Sequence, residues 1–166
     1  MTTTTATIND RLVELGTLHS NKDKMIQRKG ASLVDGFFMS FSGEADDETV
    51  TDVLHYLTDI QVRDYALGIL PKYDLKRTMS ALQYLLDKAP TDTAFISAPA
   101  SLLATYLFEQ GDTASALVTL SNAQQHYSYA MLLRHVIQAG WASSSFAALR
   151  ESTHDNVVNG IFGEEK

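Results

Sequence analysis

Apolar residues return every three or four positions along most of this chain, the period of a helix with one face turned inward. The cleanest stretch is Leu75, Met79, Leu82, Leu85 and Leu86, with Asp74 placed to cap it and Ala89-Pro90-Thr91 to stop it. Upstream, Ile8, Leu12, Leu15 and Leu18 predict a helix over 8–18, capped by Asn9 or Asp10, after a polar, threonine-rich arm at 1–7. Residues 19–29 are polar and basic and predict a solvated loop. The run 31–41, with Leu33, Val34, Phe37, Phe38, Met39 and Phe41, suits a helix or a buried strand by its own pattern. Helix is favoured because no other segment offers a sheet to pair with. Asp46 or Asp47 caps a helix carrying Val50, Val53, Leu54 and Leu57. Another starts near Gln61, carries Val62, Tyr65, Ala66 and Ile69, and ends at Pro71.

The stretch 98–140 holds three further helical patterns separated by short breaks. Ser97 is placed to cap the first, with Pro99 in its opening turn, where a missing N–H does no harm. Leu102, Leu103, Tyr106 and Leu107 face inward. Gly111 makes the break and Asp112 caps the next helix, whose stripe is Ala116, Leu117, Leu120 and Ala123. A third runs from Tyr129 to Ala139 with Met131, Leu132, Leu133, Val136 and Ile137, and Gly140 stops it. Ser143 to Ser145 start a short last helix with Phe146 and Leu149. Beyond it, residues 151–166 form a polar tail whose Val157, Val158, Ile161 and Phe162 can dock on the body or engage a partner. The whole predicts an all-α single domain over 8–150, with about seven or eight helices packed as antiparallel hairpins.

Leu103-Ala104, Gly111-Asp112, Ala116 and Ala123 resemble a tetratricopeptide-type helical hairpin, with small residues where the helices cross and a glycine and a capping acid at the turn. Ala100 stands where that pattern has an aromatic, and Ser128 where it has a proline. A wider resemblance rests on Ala98-Pro99-Ala100-Ser101-Leu102-Leu103-Ala104, Gly111-Asp112, the 116–123 and 129–133 segments, Ala139-Gly140 and Val62-Arg63-Asp64. These residues, over about 59–149, are similar to the C-terminal part of the actinobacterial domain of unknown function 4192 family. The resemblance implies an actinobacterial protein or one from a phage of such hosts. It brings no activity, cofactor or site residue with it.

Composition narrows the classes. The 166 residues fit one domain, 45% of them hydrophobic and 20% charged. There is no cysteine, which excludes disulfides, thiolate zinc sites and a cysteine nucleophile. No apolar run reaches membrane-spanning length, and the N-terminus lacks the basic and apolar regions of a secretory signal, so the expected address is cytoplasmic. The formal charge of −7 disfavours diffuse nucleic-acid binding. Charge is unevenly placed: 90–149 holds only Asp92, Glu109, Asp112 and Arg134, so that region is expected to be core.

Candidate chemistry is sparse. The five histidines show no helical metal spacing, and there is no phosphate-binding glycine loop or nucleophile elbow. The acids Glu44, Asp46, Asp47, Glu48 and Asp52 lack the alternation and central glycine of a calcium loop. Arg63 and Asp64 are neighbours about 100° apart on a helix and are expected to face different partners rather than each other. Lys22, Lys24, Arg28 and Lys29 form a small basic patch without interleaved aromatics. The expected function is therefore a non-catalytic helical adaptor that binds a protein partner or itself, with no cofactor, metal or membrane contact. The alternative is a regulator of nucleic acid, or of an enzyme acting on it, through the basic patch or through acidic mimicry. The favoured partner surface is a rim of Tyr106, His126, Tyr127, Tyr129, Arg134 and Trp141; Trp141 itself is expected to be buried, closing the hairpin stack, and is a binding hot-spot candidate if exposed.

Overall fold

A computed structural model describes residues 7–19 and 22–163. Among these there are nine α-helices and no strand: α1 (Ile8–Leu15), α2 (Lys24–Ser40), α3 (Asp47–Tyr56), α4 (Ile60–Ile69), α5 (Leu75–Lys88), α6 (Ala94–Glu109), α7 (Thr113–Leu120), α8 (Ser128–Gln138) and α9 (Ser143–Phe162). A short 3-10 turn, Leu70–Lys72, follows α4 and contains Pro71. The ambiguous 31–41 segment is helical, as expected.

Aspartates set most of the helix starts. Asp46, Asp59, Asp74 and Asp112 each accept a hydrogen bond from the backbone N–H three residues on, and Asp23 accepts from Met25 and Ile26. A short acceptor that satisfies an orphan N–H also meets the positive end of the helix dipole. Thr7, rather than Asn9 or Asp10, caps α1. Its hydroxyl accepts from Asp10 N–H while the Asp10 carboxylate accepts from Thr7 N–H, so Asp10 is the far half of a reciprocal box. Of the expected arm at 1–7, residues 1–6 lie outside the described residues. Gly16, at φ +70°, ends α1 three residues earlier than the pattern implied.

Three other boundaries differ from the sequence reading. The basic segment does not stay a loop, because α2 begins at Lys24. Its buried stripe opens with Gln27, Gly30 and Ala31, residues that look polar or neutral in sequence. Gly30 is there for proximity, since a Cβ would fall 2.8 Å from Tyr56 Cδ1 and 2.9 Å from Val62 Cγ2. α6 begins at Ala94, not after Ser97, because Phe95 and Ile96 are buried and extend the apolar surface by a turn. Ser97 and Pro99 are therefore interior positions. Last, α9 runs 20 residues, so a boundary at 150 falls inside a helix. Its far end docks: Ile161 joins Ala31, Tyr65 and Ile69 in a second small core, with Val157 and Val158 packed against it. Arg28 donates from Nε to the Ile161 carbonyl at 2.8 Å and from Nη2 to the Gly163 carbonyl at 3.2 Å, which answers the unpaired carbonyls at that helix end.

The main core centres on α6. Every residue from Phe95 to Tyr106 is buried, as a helix without a polar face requires. The hydroxyls of Ser97, Ser101 and Thr105 each donate back to the carbonyl four residues earlier, so burial leaves them paired. α6 and α7 fold back on each other across Gly111 (φ +86°). α3, α4, α5, α8 and α9 also pack on α6. This is a bundle wrapped around one helix, whereas repeats in a solenoid touch only their sequence neighbours.

Candidate functional site

A buried positive charge sits on α4. Five of its apolar side chains are buried, and Arg63 is buried with them at 6% exposure. A charge removed from water needs compensation close by. Arg63 donates from Nε and Nη2 to Asp64 Oδ1 at 3.0 and 2.7 Å, and from Nη1 to the Tyr127 hydroxyl at 3.3 Å. The guanidinium carbon lies 5.5 Å from the centre of the Tyr127 ring and 5.2 Å from that of Tyr129. The expectation that Arg63 and Asp64 do not pair is overturned here. The 100° between their Cβ directions is smaller than the sweep of a four-atom arginine stem held down by two tyrosine rings. Burial pulls the Arg63 pKa down, but Tyr127 and Asp64 outweigh it, and the group ends above its ordinary value. Burial also raises the Tyr127 and Tyr129 phenols against the pull of Arg63, and Tyr129 shares a 2.8 Å hydrogen bond with Thr105 Oγ1.

Two concavities meet at this arginine. One is a polar cleft of about 520 Å³ at the corner where the α3–α4, α5–α6 and α7–α8 connections converge, lined by His19, Thr58, Asp92, Gln124, His126 and Tyr127 with Arg63. The other is an apolar groove of about 320 Å³ between α4, α8 and α9. Leu67, Tyr129, Leu132, Phe146, Leu149 and Val157 line it beside Arg63, Asp64 and Arg150. Leu132 and Leu149 are 50% and 47% exposed. Arg150 is locked: its Nε and Nη2 reach Glu109 at 2.8–3.2 Å and its Nη1 donates to the Leu67 carbonyl, with both partners of the ion pair only 10% exposed.

The six residues expected to form one rim are split among several places. His126 is exposed and Tyr127 half-buried, and both line the polar cleft. Tyr129 is buried beneath Arg63 and walls the groove. Tyr106 is buried on the α6 face near Glu109 and Arg150; its hydroxyl has no hydrogen-bond partner, and burial raises its pKa. Arg134 is half-buried and donates to the Leu120 carbonyl. Trp141 is 47% exposed after Gly140, so it does not close the hairpin stack as a buried plug. There is no continuous aromatic rim, because a helix face turns by a residue and these six come from α6, α8 and two separate connections.

Sequence reasoning missed Arg63, Leu132 and Leu149 as site residues. A signal existed for Arg63: it is the only base between positions 35 and 64, in a helix with apolar residues on nearly every side. Leu132 carried no such signal. It belongs to an apolar run in α8 in which Met131 and Leu132 are exposed while Leu133 is buried, and Leu117 of α7 is exposed in the same way. Among the described residues no group of three His, Cys, Asp or Glu side chains could hold a metal ion, and no helix is long and apolar enough to cross a membrane. Of the basic patch, Arg28 is engaged in holding the end of α9.

The chain belongs to the family described as domain of unknown function (DUF4192), whose model matches residues 3–143. The match covers α1 to α8 and stops where α9 starts. It takes in the N-terminal half as well as the C-terminal segment whose residues suggested the family. No curated protein and no solved structure matches the chain.

Proposed function

We propose that this protein is a non-catalytic helical module that binds another protein through the groove between α4, α8 and α9. The observation that carries the reading is the pair Leu132 and Leu149, half-exposed leucines on two helices flanking an apolar depression lined by the buried Tyr129 and Phe146. Burying a fully exposed leucine contributes about 1.5–3 kcal/mol, so completing the burial of a half-exposed one contributes roughly half of that, and two such anchors around a preformed depression suit a short amphipathic segment. Asp64 lines the same groove, with its side chain 30% exposed and one oxygen already taken by Arg63. The fitting partner is an amphipathic helix with two apolar anchors and a lysine or arginine beside them. The chain's excess of acids, 20 against 13 basic residues, favours such a basic segment.

Selection of displayed helical peptides against the whole chain tests this. The expected result is an enriched class with apolar residues at three- or four-residue spacing and a basic neighbour. Its binding should fall at least roughly tenfold in Leu132→Asp and in Leu149→Asp and be unchanged in Met25→Asp. No enriched class, or binding indifferent to both groove substitutions, refutes the reading.

A further inference from the structure

The cleft on the other side of Arg63 has the chemistry of a small-molecule site, independent of the groove. An arginine carries five N–H groups. Three of those on Arg63 are engaged, two by Asp64 and one by Tyr127, which leaves one on each Nη without an acceptor among the described residues. The guanidinium is held in place by the Asp64 pair and the two tyrosine rings, so a ligand that meets it does not have to order a flexible side chain. Two oxygens of a carboxylate can take both free N–H groups.

A second charge shares the wall. Asp92 is exposed in the same cleft and has φ +56°; His19, also in the cleft, has φ +49°. They are the two non-glycine residues with positive φ among those described. Aspartate and histidine are among the non-glycine residues that enter this region most readily. Charge then selects the ligand class. Asp64 already neutralises Arg63, so a bare anion entering the cleft would meet the unbalanced Asp92 carboxylate. A ligand with a carboxylate for Arg63 and an ammonium for Asp92 matches both groups, and about 520 Å³ leaves ample room for a small zwitterion. We propose that the cleft holding Arg63 and Asp92 binds a zwitterionic ligand of the free α-amino acid class.

The test is a titration of the full chain, followed by backbone-amide NMR, with a panel of free L-amino acids and with the carboxamide and N-acetyl derivative of each. Sodium acetate and inorganic phosphate serve as plain anions. The expected result is that at least one free amino acid moves the signals of Gln125, His126 and Tyr127, and that its two blocked forms bind at least roughly tenfold more weakly. Asp92→Asn should weaken binding by a similar factor while leaving Tm unchanged, since asparagine tolerates the same backbone. The proposal is overturned if no free amino acid shifts those signals, if blocked forms bind equally well, or if acetate or phosphate binds as tightly. Leu132→Asp should leave this titration unaltered, which separates its outcome from that of the groove.

Discussion

Replacing Gly68 with alanine tests the packing of α9 on α4, the contact that closes one side of the groove. A Cβ at position 68 would sit 1.7 Å from His154 Nδ1 and 2.4 Å from Cε1 and Cγ of the same ring. Contacts that short do not occur, so either the imidazole leaves its place against Tyr65, whose ring centre is 6.0 Å away, or the helices separate. Overpacking of this kind costs about 1–3 kcal/mol. Alanine in a helix interior also recovers about 1 kcal/mol relative to glycine. The single substitution is therefore expected to destabilise by up to about 2 kcal/mol. In a His154→Ala background the ring is absent, and Gly68→Ala is expected to stabilise by about 1 kcal/mol. The change of sign corresponds to a coupling of about 1–3 kcal/mol. Urea unfolding followed by circular dichroism on the four proteins of the cycle measures it. A stabilising Gly68→Ala in the parent chain, or effects that add to within about 0.5 kcal/mol, refutes the close approach of α4 and α9.

Two further outcomes bear on the same helix. His154 is held below its ordinary pKa of 6.5, first by burial and then by Lys72 and Arg150, with Asp155 acting the other way. Because the folded value lies below the unfolded one, His154 contributes no penalty above pH 6.5, and stability is lost as the pH falls from there through the depressed value; His154→Gln should flatten that part of the stability–pH curve in urea titrations. Glu109→Gln removes the charge opposite a nearly buried Arg150, with an expected loss of about 3–5 kcal/mol; replacing the pair together by Glu109→Leu and Arg150→Met should recover most of it.

Three helix starts were legible in this chain. Asp46, Asp74 and Asp112 act through hydrogen bonds closed within three residues, so their effect is written in adjacent positions. Gly111 and Gly140 mark breaks for an equally local reason, since both need positive φ. Less legible was any boundary set from outside. α2 starts early because Gln27 and Gly30 are covered by other helices, and α9 continues through a polar stretch because Ile161 finds Ala31, Tyr65 and Ile69. The pattern of α6, apolar around its whole circumference, implied burial but could not say that six helices would share the work of covering it.

The same division runs through the candidate sites. His126 and Tyr127 were expected at a functional surface and lie in the polar cleft, but Tyr106, Arg134 and Trp141 are dispersed from it. The sequence by itself determined an all-helical chain, its main breaks and the absence of thiol chemistry, because those follow from period, capping and composition. Only the tertiary structure decided that Arg63 sits between two tyrosines from 64 and 66 residues further along, that Leu132 is exposed while Leu133 is not, and that a glycine admits His154. Each depends on which helix faces which, and that is set by close packing of surfaces far apart in sequence, where no local pattern records the partner.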